Sequence, residues 1–249
     1  MHMMGQSPIR EDTVLNGPEY GQQPEQAWDE LLELADQVEL RISEFEQIVS
    51  SASPDMKIAI TEGHLSLKSQ HYNSNPILHH WITAIYHARS MNIYQRHGSR
   101  VKIATAADFC GTRWTVNAVM IPEYGVKSYL MPVGSVMRLF KRHNGTQGVA
   151  VKSASPSLDI TASRSGDKVF LHVANMNYKR TVAVSLGVAG MTIAGGRVFE
   201  IAPENPLTAV SASRPNVFDP VEKVLPAGPS PTWRFPAASV SVVELDIRS

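Results

Sequence analysis

Apolar residues recur at Ala27, Leu31, Leu34, Ala35, Val38, Ile42, Phe45 and Val49, the three- and four-residue spacing of one face of a helix. Pro24 and Glu25 stand where a first turn wants them, so the pattern predicts an amphipathic helix of about seven turns, broken by Ser50 to Asp55. Its other face carries Glu30, Glu33, Asp36, Glu44 and Glu46, the pattern of a solvated face. Met56 to Ile60 then form a short, continuous apolar run bounded by Ser-Pro-Asp and Gly, which predicts a buried parallel strand delivering Thr61 and Glu62 to its carboxyl end. His64 to Asn75 reads as loop. Asn75-Pro76 opens a second helix, with Ile77, Trp81, Ile82, Ile85, Ala88 and Ile93 on its apolar face and Gly98 at its end, and Arg100 to Ala104 is a second strand. Ahead of all this, residues 1–23 are polar, hold Pro8, Gly17, Pro18 and Gly21, and show no period, so they read as a flexible lead.

From about Tyr124 the period changes from helical to alternating. After a short helical piece from Val133 to His143, Leu158 to Arg164 and Lys168 to Ala174 alternate on either side of Gly166-Asp167, a tight hairpin signal. Thr181 to Leu186, Met191 to Ile201, Leu207 to Ser213 and Ser239 to Ile247 continue the rhythm between Gly, Pro and Asn clusters, which predicts an antiparallel β-sandwich. The expected organisation is therefore α/β followed by all-β. Residues 1–23 form the lead, 24–123 a parallel βα region with two strands, and 124–249 the sandwich. Two parallel strands do not make a stable sheet alone, so a homo-oligomer or a partner chain is expected to cover the helices' apolar faces.

Composition narrows the partner. Lys plus Arg and Asp plus Glu are 23 each, so no net field draws the chain to nucleic acid or to an acidic membrane surface. No run approaches the roughly 18 apolar residues of a membrane span, and the N-terminus has no apolar signal core. The single cysteine, Cys110, leaves no internal disulfide and no cysteine metal cluster, and cytoplasmic residence is expected, with secretion after removal of an upstream signal as the alternative.

Glu62 is the first candidate for chemistry, because carboxyl ends of parallel strands are where sites of α/β and barrel folds assemble. The plainer role is a strand cap or an ion pair with a nearby Arg. Asp108, at the carboxyl end of the next strand, is the second carboxylate that barrel geometry would bring alongside, its plainer role being a cap or an ion pair with Arg113. Glu123 and Glu19 are more remote. His79, His80 and His87 lack matching acidic residues and read as surface or interface histidines, so neither metal nor cofactor is expected; Cys110 reads as a buried small hydrophobe and Asn144-Gly-Thr146 as a turn. No phosphate loop, dinucleotide fingerprint or serine elbow occurs.

Met56-Lys-Ile-Ala-Ile-Thr-Glu62 resembles the nucleophile strand of clan-A glycoside hydrolases, and its surroundings resemble family 51 α-L-arabinofuranosidases. The acidic helix before it, Met91-Asn-Ile-Tyr-Gln-Arg-His97, Val101-Lys-Ile-Ala104 and Trp114-Thr-Val-Asn117 fall in that family's order. Ser163 to Val169 leading to Asn175, Asn216-Val-Phe-Asp-Pro220 and Phe235 to Leu245 resemble its C-terminal sandwich. The resemblance implies the last two βα units of a (β/α) barrel plus the sandwich. It also implies a retaining hydrolase of terminal non-reducing α-L-arabinofuranosyl residues in oligo- or polysaccharides, with Glu62 as nucleophile and His64, Tyr72 and Trp114 as candidates to line the sugar subsite.

The departures carry information too. Where the family continues past the nucleophile with Trp-Asn, this chain has Gly63-His64, and it holds no Asn-Glu pair of the kind that bears the family's acid/base. Asp108 is then the candidate substitute. The expectation is a fragment or subunit lacking the usual acid/base, and the competing one is a non-catalytic carbohydrate-binding or assembly module.

Overall fold

The computed structural model describes residues 1–6, 10–68, 75–105, 108–112, 114–122, 125–153 and 155–248. Two compact units emerge, Met1–Ser135 with Asn205–Phe218, and Val136–Glu204 with Asp219–Ser249.

In the first unit the order is β1 (His2–Gln6), α1 (Pro24–Ala52), β2 (Ile58–Ile60), β3 (Glu62–Ser66), α2 (Ala84–Arg96), β4 (Val101–Ala104), β5 (Asp108–Gly111), β6 (Asn117–Met120) and β7 (Tyr129–Leu130), with α3 (Pro132–Arg142) leading out of it. β2 pairs in parallel with β4, as the alternation of helix and strand predicts. The lead is not all loop. β1 lies in parallel against β3, from His2 opposite Glu62 to Gln6 opposite Ser66, and Pro18–Gly21 form a 3-10 turn. This third parallel strand left no local signal, because His2 to Gln6 is short and its ladder partner lies sixty positions away. The predicted strand likewise does not stop at Glu62: it breaks only at Thr61 and resumes on β1. Among the described residues the parallel strands do not close into a barrel.

The acidic face of α1 is not simply solvated. Glu30 is 0% exposed and accepts from Val14 N at 3.0 Å, from Thr13 Oγ1 at 2.5 Å and from Gln26 Nε2 at 3.2 Å. Asp36 pairs with Arg89 at 2.6 Å, and His97 sits between Glu39, at 2.5 Å, and Glu46, at 2.9 Å, so these carboxylates hold α2 and its end against α1. Burial acts to lower the His97 pKa, but these two carboxylates more than offset it and the net shift is upward. The helices' apolar faces, with Trp28, Leu31, Leu34, Ile85 and Ile93, are buried within the unit. Contrary to the expectation, the large apolar side chains left in water include those of the strand region, Ile103 at 61%, Phe109 at 76% and Trp114 at 49% exposed.

Residues 207–213, predicted as a sandwich strand, form only isolated bridges and belong to the first unit. Trp81 N donates to Thr208 O at 2.9 Å, Ile82 N to Pro206 O at 2.7 Å and Val210 N to His79 O at 3.0 Å, while Phe218 packs on Trp81 with ring centroids 5.0 Å apart. The backbone groups freed by the two short 3-10 turns, Pro76–His79 and Trp81–Thr83, consume this segment's ladder capacity.

The second unit contains β8 (Gln147–Val149), β9 (Leu158–Ser165), β10 (Lys168–Asn175), β11 (Val182–Ser185), β12 (Thr192–Ile201), β13 (Val221–Leu225), β14 (Thr232–Phe235) and β15 (Val240–Arg248). Six of them form an antiparallel sheet in the order β13-β12-β15-β10-β9-β8, and β11 pairs with β14. Leu158, Val173, Val198, Val243 and Leu245 from the larger sheet share one core with Phe235, and Val182, Val184 and Trp233 pack against it, the two-layer arrangement that the alternation predicts. Gly166, at φ +59°, closes the β9–β10 hairpin where the sequence placed it. This unit runs from Val136, and residues 129–130 pair with β6 of the first unit.

Asn175 pins the end of β10. Its buried amide donates to Arg180 O at 3.0 Å, Phe235 O at 3.1 Å and Pro236 O at 2.7 Å, and its Oδ1 accepts from Asn177 N at 3.0 Å. Asn175→Ala removes these donors, leaving Pro236 O with Ser239 Oγ, and is expected to lower stability by about 2–4 kcal/mol in urea denaturation.

Candidate active site

Glu62 opens β3 with its side chain 35% exposed, and Nδ1 of His2 meets its Oε2 at 2.8 Å. Two residues on, His64 projects from the same side of the strand, as the two-residue period requires. Its ring is only 5% exposed and Nδ1 lies 3.9 Å from Glu62 Oε1, too far for a hydrogen bond. Asp108, half-buried at the start of β5, completes the group: one ligand-capable atom from each of Glu62, His64 and Asp108 lies within 4.8 Å of the other two.

Gly63 makes this approach possible. Its N–H donates to Thr105 Oγ1 at 3.1 Å, and a Cβ there would sit 2.3 Å from Thr105 O and 3.0 Å from the Tyr94 hydroxyl. A tryptophan at 63, as in the family's usual strand, has no room. Gly63→Ala is therefore expected to push the strand off Thr105, costing about 3 kcal/mol in chemical denaturation and displacing Glu62 from Asp108.

Beside Asp108 an open hollow of about 460 Å³ is lined by Asp108, Phe109, Cys110, Gly111, Thr112, Trp114 and Asn117. Trp114 thus lines a hollow adjoining the candidate carboxylates. Asn117, opposite Asp108 in the β5–β6 register and 3% exposed, donates to Trp114 O and holds that turn. Cys110 is exposed rather than buried, since its strand presents that residue to the hollow and not to the core. Tyr72, Glu123 and Arg113 lie outside the described residues, and Glu19 is exposed on its 3-10 turn, apart from the group.

Electrostatics favour a neutral imidazole at His64. Burial pulls the His64 pKa below its ordinary value, outweighing the carboxylates of Asp108 and Glu62, and His2 adds to the lowering. His87, expected near a surface, is instead buried on α2 with its pKa lowered to about 3, first by burial and then by His64. Two carboxylates this close, with one side open to solvent, match the arrangement in which one attacks an anomeric carbon and the other serves as acid and base, about 5 Å apart. His2 is the site residue that no sequence signal marked, because β1 pairing alone brings it to Glu62.

Comparison with known proteins bears on this site. The model of the family described as "Alpha-L-arabinofuranosidase C-terminal domain" matches residues 69–239. The chain belongs to this family. Glu62 and His64 precede the matched stretch; Asp108, Trp114 and the sandwich strands up to β14 lie within it. No curated protein matches the chain. Similar solved structures include the GH51 arabinofuranosidase from Xanthomonas axonopodis pv. citri, at a TM-score of 0.72 and 18% identity, over 89% of this chain and 48% of that one. A second is the GH51 α-L-arabinofuranosidase from Thermotoga petrophila RKU-1, at 0.67 and 18%, over 98% of this chain and 51% of that one. A third, described as an arabinofuranosidase, gives 0.72 and 17% over 88% and 50%. At these identities the likeness is one of fold, and the arabinofuranosidase C-terminal chain spans about half the length of these relatives.

Proposed function

We propose that this chain contributes the nucleophile side of a retaining glycosidase that removes terminal non-reducing α-L-arabinofuranosyl residues from arabinose-containing oligo- or polysaccharides. Glu62 attacks the anomeric carbon, and Asp108 protonates the leaving oxygen and then activates water. The observation that carries the reading is the approach of these two carboxylates, from β3 and β5, to within 4.8 Å in a chain of this family. Trp114 offers an apolar face for the sugar at the rim of the hollow. The remaining strands of a barrel come from polypeptide outside these 249 residues or from a second copy, and the exposed Ile103, Phe109 and Trp114 are where such a complement would lie.

The same exposed side chains also favour a second reading, a carbohydrate-binding or assembly module without catalysis. Hydrolysis of an aryl α-L-arabinofuranoside separates the two. Activity that disappears in Glu62→Gln supports the glycosidase, and a variant as active as its parent overturns it.

A further inference from the structure

Nδ1 of His64 has no hydrogen-bond partner although the side chain is only 5% exposed. A buried imidazole nitrogen without a partner costs free energy unless something polar comes to it. Glu62 Oε1 lies 3.9 Å from this nitrogen, and one ring nitrogen of His64 is within 4.8 Å of an Asp108 oxygen. His79, His80 and His87, near one another in sequence, lack matching acidic residues and predict no metal. The approach of β3 to β5 assembles a different set.

We infer that Glu62, His64 and Asp108 form a binding site for a borderline divalent cation of the Zn²⁺ class, and that cation occupancy and glycoside cleavage exclude each other there. One imidazole and two carboxylates are a donor set suited to such an ion, which binds nitrogen and oxygen at about 2.0–2.2 Å and so places tetrahedral ligand atoms about 3.4 Å apart. The pair at 3.9 Å is within half an ångström of that spacing, and the two half-exposed carboxylates turn to close the rest. Nδ1 of His2, at 2.8 Å from the other oxygen of Glu62, holds the carboxylate as an outer-shell partner does, and the open side leaves a position for water. A cation bound to both carboxylates removes the nucleophile and the acid together. The binding half of this inference stands on the geometry alone; the exclusion half rests on the glycosidase reading.

Isothermal titration of the full chain with zinc chloride is expected to show one saturable ion per chain. Affinity should fall at least about tenfold in Asp108→Asn and in His64→Ala. Asp108 is half-buried and its variant is isosteric, so folding is not at stake there; circular dichroism checks the His64 variant. No saturable binding, or undiminished affinity in Asp108→Asn, overturns the site. In the aryl arabinofuranoside assay, saturating zinc should abolish turnover and a chelator restore it, and turnover unchanged at saturating zinc overturns the exclusion. If zinc binds as described and no preparation cleaves the arabinoside, the cation site stands and the glycosidase reading falls. Glu62-dependent cleavage without zinc binding gives the reverse.

Discussion

Glu62→Gln is expected to reduce hydrolysis of an aryl α-L-arabinofuranoside by on the order of a thousandfold or more, because an amide cannot form the glycosyl ester through which a retaining reaction passes. Asp108→Asn is expected to behave differently. Loss of a general acid typically costs about a hundred- to ten-thousandfold, and the loss grows as the leaving group becomes poorer, so an alkyl or sugar leaving group suffers more than an activated nitrophenol. Added azide should restore turnover in Asp108→Asn by attacking the glycosyl ester in place of activated water, giving a glycosyl azide of retained configuration. The two variants together therefore assign roles. Equal losses across leaving groups in Asp108→Asn, without azide rescue, would remove Asp108 from the acid/base role while leaving Glu62 in place.

Acid is expected to unfold the first unit through His87. The ring is buried and its Nδ1 has no partner, and burial, with His64 second, lowers its pKa to about 3. A group whose folded pKa lies below its unfolded value of about 6.5 contributes stability that is complete above 6.5 and is lost as pH falls toward the folded value. Between pH 7 and pH 4 this amounts to about 3 kcal/mol at 1.36 kcal/mol per unit. His172 in the second unit, with its pKa lowered to about 4 chiefly by burial, loses stability in the same window. Urea denaturation at pH 7 and pH 4 measures the difference. His87→Leu removes a partnerless polar atom, so it should leave stability at pH 7 nearly unchanged and flatten the acid limb by about the same 3 kcal/mol. An acid limb as steep in the variant as in the parent would place the loss elsewhere.

Much of the architecture was written locally. The period of three and four in residues 24–50 and the alternation on either side of Gly166 specify elements because burial of one face is enough to select them. The register of the β9–β10 hairpin follows from its turn alone. Glu62 and Asp108 were read as the ends of strands, but each instead begins one, β3 and β5, so the residues were legible and their place was not.

What lay beyond the sequence is set by long-range pairing. β1 exists because β3 offers it a ladder, residues 205–218 left the sandwich rhythm for the turns around Trp81, and the acidic face of α1 found Arg89 and His97 on α2. The meeting of Glu62, His64 and Asp108 is of the same kind. Residue types and local periods are properties of neighbours in the chain, and they determined the helices, the hairpin and the candidate carboxylates. Which carboxylate faces which imidazole depends on strand order and register among segments tens of residues apart, where many pairings satisfy the same hydrophobic pattern, and only the tertiary structure chose among them.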